Sequence, residues 1–255
     1  MNFYPESKDD ILYKSEFITT KSENKIEECL KDLNAEESPI GIIGLHSCAD
    51  LTVTSIRIFL QMERVRKLIV MPCCYHKLKM SDGKFENFPL STKLQKNYCG
   101  DFLNRPFLRL ACQETASRWC VMSNEDHINH GINMFQRAAL EVLLEKGGTF
   151  KKNKMSKISR DITESYKIEC ENIENLKNEY TMMLENFGSS EFVAEILTCL
   201  QATIQRVCEN LVLNDRIVFM REVAIERNIP LNVSLRKIVD DTLSPRCFAF
   251  IAQKI

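Results

Sequence analysis

Two short polar clusters hold the residue types that do chemistry. The first is His46-Ser47-Cys48-Ala49-Asp50 and the second is Cys73-Cys74-Tyr75-His76. In the first, His46 has the chemistry of a general base and Asp50 that of the acid that orients it, with the Cys48 thiol between them. In the second, Cys73, Cys74, Tyr75 and His76 would shape the side on which a substrate arrives. Each also has a plainer reading. Asp50 stands where a carboxylate caps a following helix, and His46 closes a strand as a satisfied polar residue. Cys73 and Cys74 pack as small apolar groups, as free cysteine commonly does. A third arrangement is a tetrahedral metal site from His46, Cys48, Cys73 and His76. Its spacing is that of neither a zinc ribbon nor a zinc finger, so no metal is assigned.

The runs on either side must position these clusters. Ile42-Ile43-Gly44-Leu45 leads into the first, and Leu68-Ile69-Val70-Met71 leads into the second. Between them lies a helical stretch with Leu51, Ile56, Phe59 and Leu60 on one side. Short apolar runs alternating with a helix predict a βαβ unit with a buried parallel sheet. Both clusters then fall at the carboxyl ends of neighbouring strands, the edge where open α/β folds bind ligands.

The same residues carry a resemblance. Leu45-His46-x-Cys48-x-Asp50-Leu51, Cys73-Cys74-Tyr75-His76-x-Leu78 and Phe88-Pro89-Leu90 resemble the methyltransferase-like protein 25 family. Leu213-x-Asp215-Arg216 and Leu243-Ser244-Pro245-Arg246 resemble its C-terminal segments. The resemblance implies an adenosylmethionine-dependent methyltransferase with a class I, Rossmann-like α/β fold. It sets His46, Cys48 and Asp50 beside the methyl donor and residues 73–76 on the acceptor side. A tRNA ribose methyltransferase family shows a similar His-x-Cys-Gly and Cys-Cys-His pattern, which puts RNA ahead of protein as the acceptor. Ala49 stands where these families have glycine.

The resemblance also marks what the sequence lacks. The class I strand order is 3-2-1-4-5-7-6. Residues 11–20 correspond to its third strand and residues 40–46 to its fourth. The glycine-rich turn that lets the backbone approach the cofactor is missing, because no G-x-G occurs and Gly41-x-x-Gly44 lies inside an apolar run. The cofactor-binding residues therefore stay unassigned. The expectation is the C-terminal part of a methyltransferase domain, strands three to seven, as a fragment of a longer product. The alternative is a non-catalytic interaction module that has lost the cofactor half.

Totals bound the rest. A chain of 255 residues can bury a sizeable core. Apolar residues at 44% and charged residues at 27% are ordinary for a globular protein. A net charge of −1 gives no overall pull toward nucleic acid, so any such binding needs a local patch. Eleven cysteines, no disulfide framework and no signal peptide predict a reducing, cytoplasmic or nuclear setting. No apolar run approaches the roughly 20 residues of a membrane helix.

Along the chain, residues 1–10 read as a polar lead-in and 11–95 as the βαβ core. Residues 96–228 read as a helical insertion and 229–255 as a closing antiparallel hairpin. Within the insertion, residues 146–160 hold six Lys or Arg and no acid, and read as a solvated linker. Asp215-Arg216 reads as an ion pair or a helix break, and Pro245-Arg246 as turn chemistry.

Overall fold

The structure, a computed structural model, describes residues 13–97, 101–145, 147–153, 161–187 and 190–255. The chain divides into two compact units, residues 1–114 with 205–255, and residues 115–204. The elements begin with α1 (Glu23–Asp32), β1 (Ile40–Cys48), α2 (Asp50–Gln61) and β2 (Val65–Cys73). Then come β3 (Met80–Ser81), β4 (Lys84–Phe85), α3 (Thr92–Asn97) and α4 (Arg105–Leu110). Next are α5 (Ala116–Cys120), α6 (Asn124–Leu143), β5 (Thr149–Lys152), α7 (Ile162–Ser165) and β6 (Tyr166–Glu169). Last are α8 (Ile173–Phe187), α9 (Ser190–Glu226), β7 (Leu231–Lys237) and β8 (Phe248–Lys254).

The first unit is a mixed α/β layer. Its sheet has the order β1-β2-β8-β7. β1 and β2 pair in parallel, so α2 is the crossover that a parallel pair requires. β8 runs antiparallel to β2 on one side and to β7 on the other. The predicted hairpin therefore forms, but its second strand inserts against β2 and its first becomes the edge.

The outer edge of β1 has no strand partner among the described residues. This corrects the expected strand at 11–20, whose described part forms no strand. Charge pairs hold that segment to α1 instead, Lys14 to Asp32 at 2.6 Å and Glu16 to Lys25 at 2.5 Å. Tyr13 and Phe17 stay exposed. The apolar run of β1 is also not buried on both faces. Ile43 is 80% and Leu45 72% exposed, while alternate residues turn inward. On α2, Ile56, Phe59 and Leu60 are buried as expected and Leu51 is not.

One apolar cluster holds this unit together. It joins Ile56, Phe59 and Leu60 of α2 to Val65, Leu68 and Val70 of β2 and to Phe250 of β8. Val212, Leu213 and Met220 of α9 complete it. Each such side chain taken out of water contributes about 1.5–3 kcal/mol.

Asp215 is the polar counterpart of that packing. Its carboxylate accepts from Leu90 N at 2.7 Å, Ser91 N at 2.9 Å and Ser91 Oγ at 2.6 Å, all buried. It thereby fixes the turn after the cis Phe88-Pro89 peptide and neither pairs with Arg216 nor breaks α9. Arg216 is fully buried, donates to Val212 O at 3.1 Å and stacks over the Tyr75 ring at 5.3 Å.

The second unit, residues 115–204, has its own core of Ala139, Leu140, Ile162, Tyr166, Leu176 and Tyr180. A capping box starts α6: Ser123 Oγ accepts from Asp126 N at 3.1 Å, and Asp126 accepts from Ser123 N at 3.3 Å. The basic stretch is not all linker. Residues 149–152 form β5, paired with β6, and Phe150 packs on Tyr166 with ring centroids 5.7 Å apart. Its residues 154–160 lie outside the described residues, as does the lead-in 1–10. Among the described residues no helix is long and apolar enough to cross a membrane.

The Asp215 anchor makes a testable claim. Asp215→Ala strands two buried backbone N–H groups and a hydroxyl, and should cost about 3 kcal/mol. Urea unfolding should show a lower midpoint at an unchanged slope.

Candidate active site

The first cluster sits on an irregular strand end. The register of β1 on β2 slips between Gly44 and Ser47, then resumes with Ser47 against Pro72 and Cys48 against Cys73. His46 lies at the slip with φ 56°, exposed to solvent. Gly44 permits the fold-over, because a Cβ there would collide with Ser47 Oγ and lie 3.2 Å from Val70 Cγ1. Thr52 Oγ1 donates to Ser47 O and ties the strand end to the first turn of α2.

Ala49 joins strand to helix at φ 48° and ψ −119°. Its N–H donates to Cys73 O at 3.0 Å, which fixes that conformation. Glycine adopts it freely, whereas an L side chain meets its own backbone.

Asp50 does not cap α2 and makes no hydrogen bond to His46. One carboxylate oxygen accepts from Lys79 N at 3.0 Å and the other from Asn87 Nδ2 at 2.8 Å. Asn87 Oδ1 in turn accepts from Arg57 Nη2 at 3.1 Å. Asp50 is thus the post to which the 79–87 loop is tied.

The second cluster divides between core and surface. Tyr75, expected on the acceptor side, is packed in the core: it is 1% exposed and its hydroxyl donates to Glu209 Oε1 at 3.1 Å. Glu209 also accepts from Arg246 Nη1 at 2.6 Å and from Gln205 Nε2 at 2.9 Å. Arg246, 8% exposed, is therefore half of a buried ion pair, where the sequence suggests turn chemistry. Burial pushes the Glu209 carboxyl up, and the Arg246 guanidinium opposes that.

His76 stays half-buried, and its Nδ1 has no hydrogen-bond partner. Burial, then the charges of Arg109, Lys77 and Arg105, hold its imidazole below the usual histidine range.

The cysteines come together. Cys48 Sγ and Cys73 Sγ are 2.8 Å apart, and these two and Cys74 Sγ lie within 4.8 Å of one another. Cys48 is exposed, Cys74 half-buried and Cys73 buried. Burial, followed by the hydrogen bond with Cys48, pushes the Cys73 thiol far above the ordinary cysteine range. Neither His46 nor His76 joins this group.

Beside it opens a cleft of about 720 Å³, lined by Cys48, Asp50 and Arg57 and walled by Phe17, Ile18 and Asn87. Arg57 and Asn87 are site residues that sequence reasoning misses. Asn87 carries a signal, since it directly precedes the Phe88-Pro89-Leu90 segment. Arg57 carries none.

Comparison with known proteins finds similarity over the same stretch of chain. A family model described as a methyltransferase domain matches residues 7–81, which include β1, α2, β2 and both clusters. The chain is also similar to probable methyltransferase-like protein 25. Identity to the Mus musculus protein is 24% over 99% of this chain and 43% of the relative. Identity to the Homo sapiens protein is 24% over 93% of this chain and 40% of the relative. The chain thus spans less than half the length of the curated relatives it matches. No solved structure gives a significant match.

The strained junction offers a check. Ala49→Gly releases a backbone penalty of roughly 1–3 kcal/mol, partly offset by the freedom glycine gains in the unfolded chain. A net gain of about 1 kcal/mol is expected, visible as a raised Tm. A lowered Tm would show that the junction is not strained.

Proposed function

We propose that this chain carries the acceptor side of an adenosylmethionine-dependent methyltransferase whose acceptor is RNA. The strand order carries the reading. β1-β2-β8-β7, with an inserted antiparallel strand, supports the reading of these strands as 4-5-7-6 of the class I order. The β1 edge, without a strand partner among the described residues, is where that fold pairs its first strand. The chemistry-bearing clusters then lie at the carboxyl ends of strands four and five.

Adenosylmethionine would supply an electrophilic methyl group. The described residues suit the side of such a site that faces the acceptor. They do not suit the adenosine side, because neither a glycine-rich turn nor a strand on the outer edge of β1 is among them. The cofactor contacts are accordingly left unassigned.

On the acceptor side, His46 presents an exposed imidazole able to take a proton from an acceptor hydroxyl. Asp50 and Asn87 hold the loop that walls the cleft. The exposed cations Lys77 and Arg109 near His76 suit phosphate oxygens. With the tRNA methyltransferase-like cysteine and histidine pattern, they favour RNA over protein. The missing glycine turn favours a second reading, a non-catalytic module that binds the same partner.

Fluorescence anisotropy with a labelled single-stranded RNA tests this. The chain should bind, and Lys77→Glu with Arg109→Glu should weaken binding about tenfold and reduce the salt slope by roughly 1.4. Methyl-labelled adenosylmethionine added to the mixture then separates the readings. Label in the RNA marks an enzyme, whereas binding without label marks the module. No RNA binding would remove RNA as the acceptor.

A further inference from the structure

We propose that Cys48, Cys73 and Cys74 form a three-thiolate site for a zinc ion, open on one side. This rests on the sulfur positions alone and holds whether or not a methyl group is transferred.

Among the described residues, these three make the one group of three or more Cys, His, Asp or Glu side chains placed to share a metal ion. With Zn–S bonds of about 2.3 Å, three thiolates around one ion sit roughly 4 Å from one another. All three sulfurs already lie within 4.8 Å, and Cys48 Sγ and Cys73 Sγ, at 2.8 Å, need to part by about 1 Å, which small rotations about Cα–Cβ would supply to seat the ion.

Two features of the backbone build the cluster. The parallel pairing sets Cys48 opposite Cys73 in register, with Ala49 N bonded to Cys73 O at 3.0 Å. Adjacent side chains on a strand point to opposite faces, so Cys73 and Cys74 should diverge. They do not, because Cys74 takes the left-handed conformation, φ 52° and ψ 45°. That conformation is uncommon for a residue other than glycine, and its structural result is a third sulfur beside the first two.

The donor set selects the ion. Soft thiolates favour zinc over magnesium or calcium. Binding one Zn²⁺ replaces three thiol protons and leaves a site of net charge −1. No fourth Cys, His, Asp or Glu among the described residues joins the group. Cys48 opens it to solvent, so water takes the fourth position, as in zinc sites that act on a substrate.

Cobalt is the probe. The full chain is reduced with a phosphine, stripped with a chelator and titrated anaerobically with Co²⁺, then with Zn²⁺. One equivalent of Co²⁺ should give sulfur-to-metal charge transfer and tetrahedral d–d bands, and one equivalent of Zn²⁺ should abolish both. Cys48→Ser and Cys74→Ser should each lower the charge-transfer intensity and weaken zinc binding by more than about tenfold, the least that losing a group supporting a ligand costs. The buried Cys73 is left in place, and circular dichroism confirms that each variant is folded. Cys120→Ser, at an exposed cysteine outside the cluster, should change nothing. Absence of the bands in the reduced, folded chain would overturn the site. So would bands that survive both substitutions.

Discussion

The parallel pairing of β1 with β2 is the constraint on which the first unit depends. It sets residues 25 apart in sequence side by side, so Cys48 faces Cys73. It also requires a crossover, which α2 supplies, and the crossover must leave β1 sharply. The departure is accommodated at Gly44, His46 and Ala49. The first is a residue whose Cβ would clash, and the other two hold positive φ. Backbone strain of this kind persists only where surrounding structure over-determines it. Here the Ala49 N–H to Cys73 carbonyl bond and the Thr52 to Ser47 bond do so.

Beneath the strand ends lies a buried polar layer that keeps the surface cluster in place. Tyr75, Glu209, Gln205 and Arg246 share hydrogen bonds, and Arg246 also reaches Ala111 O at 2.5 Å and Gln113 O at 2.8 Å. Such a network is costly to leave half made, since losing one partner buries an uncompensated charge. It holds Tyr75 inward, so that of the second cluster Cys74 and His76 remain to meet solvent. The two C-terminal segments that resemble methyltransferase-like protein 25 belong to this support. Asp215 holds the 90–91 turn, and Arg246 pairs with Glu209.

Much of this was legible in the sequence. The βαβ unit, the position of both clusters at strand ends and the closing hairpin follow from apolar runs and turn residues. The family-model match over residues 7–81 and the likeness to methyltransferase-like protein 25 agree with the motifs read there. What escaped was tertiary. Periodicity gives no sign that residues 13–20 lack a strand partner, because β propensity is satisfied only when a ladder exists. Nor does it show that Tyr75 turns inward, since a tyrosine at a strand end is equally suited to core or cleft. The third cysteine was hidden for a geometric reason. Only the left-handed backbone at Cys74 brings adjacent sulfurs together, and no spacing rule encodes that.

If RNA is the acceptor, as proposed above, it meets the protein at the carboxyl ends of β1 and β2. Ultraviolet crosslinking of a photoreactive RNA to the chain, with the modified peptides read by mass spectrometry, tests it most directly. Crosslinks are expected within residues 46–54 and 73–79, with Arg109 close by. Crosslinks confined to the basic stretch at residues 146–160, with none at the strand ends, would contradict it.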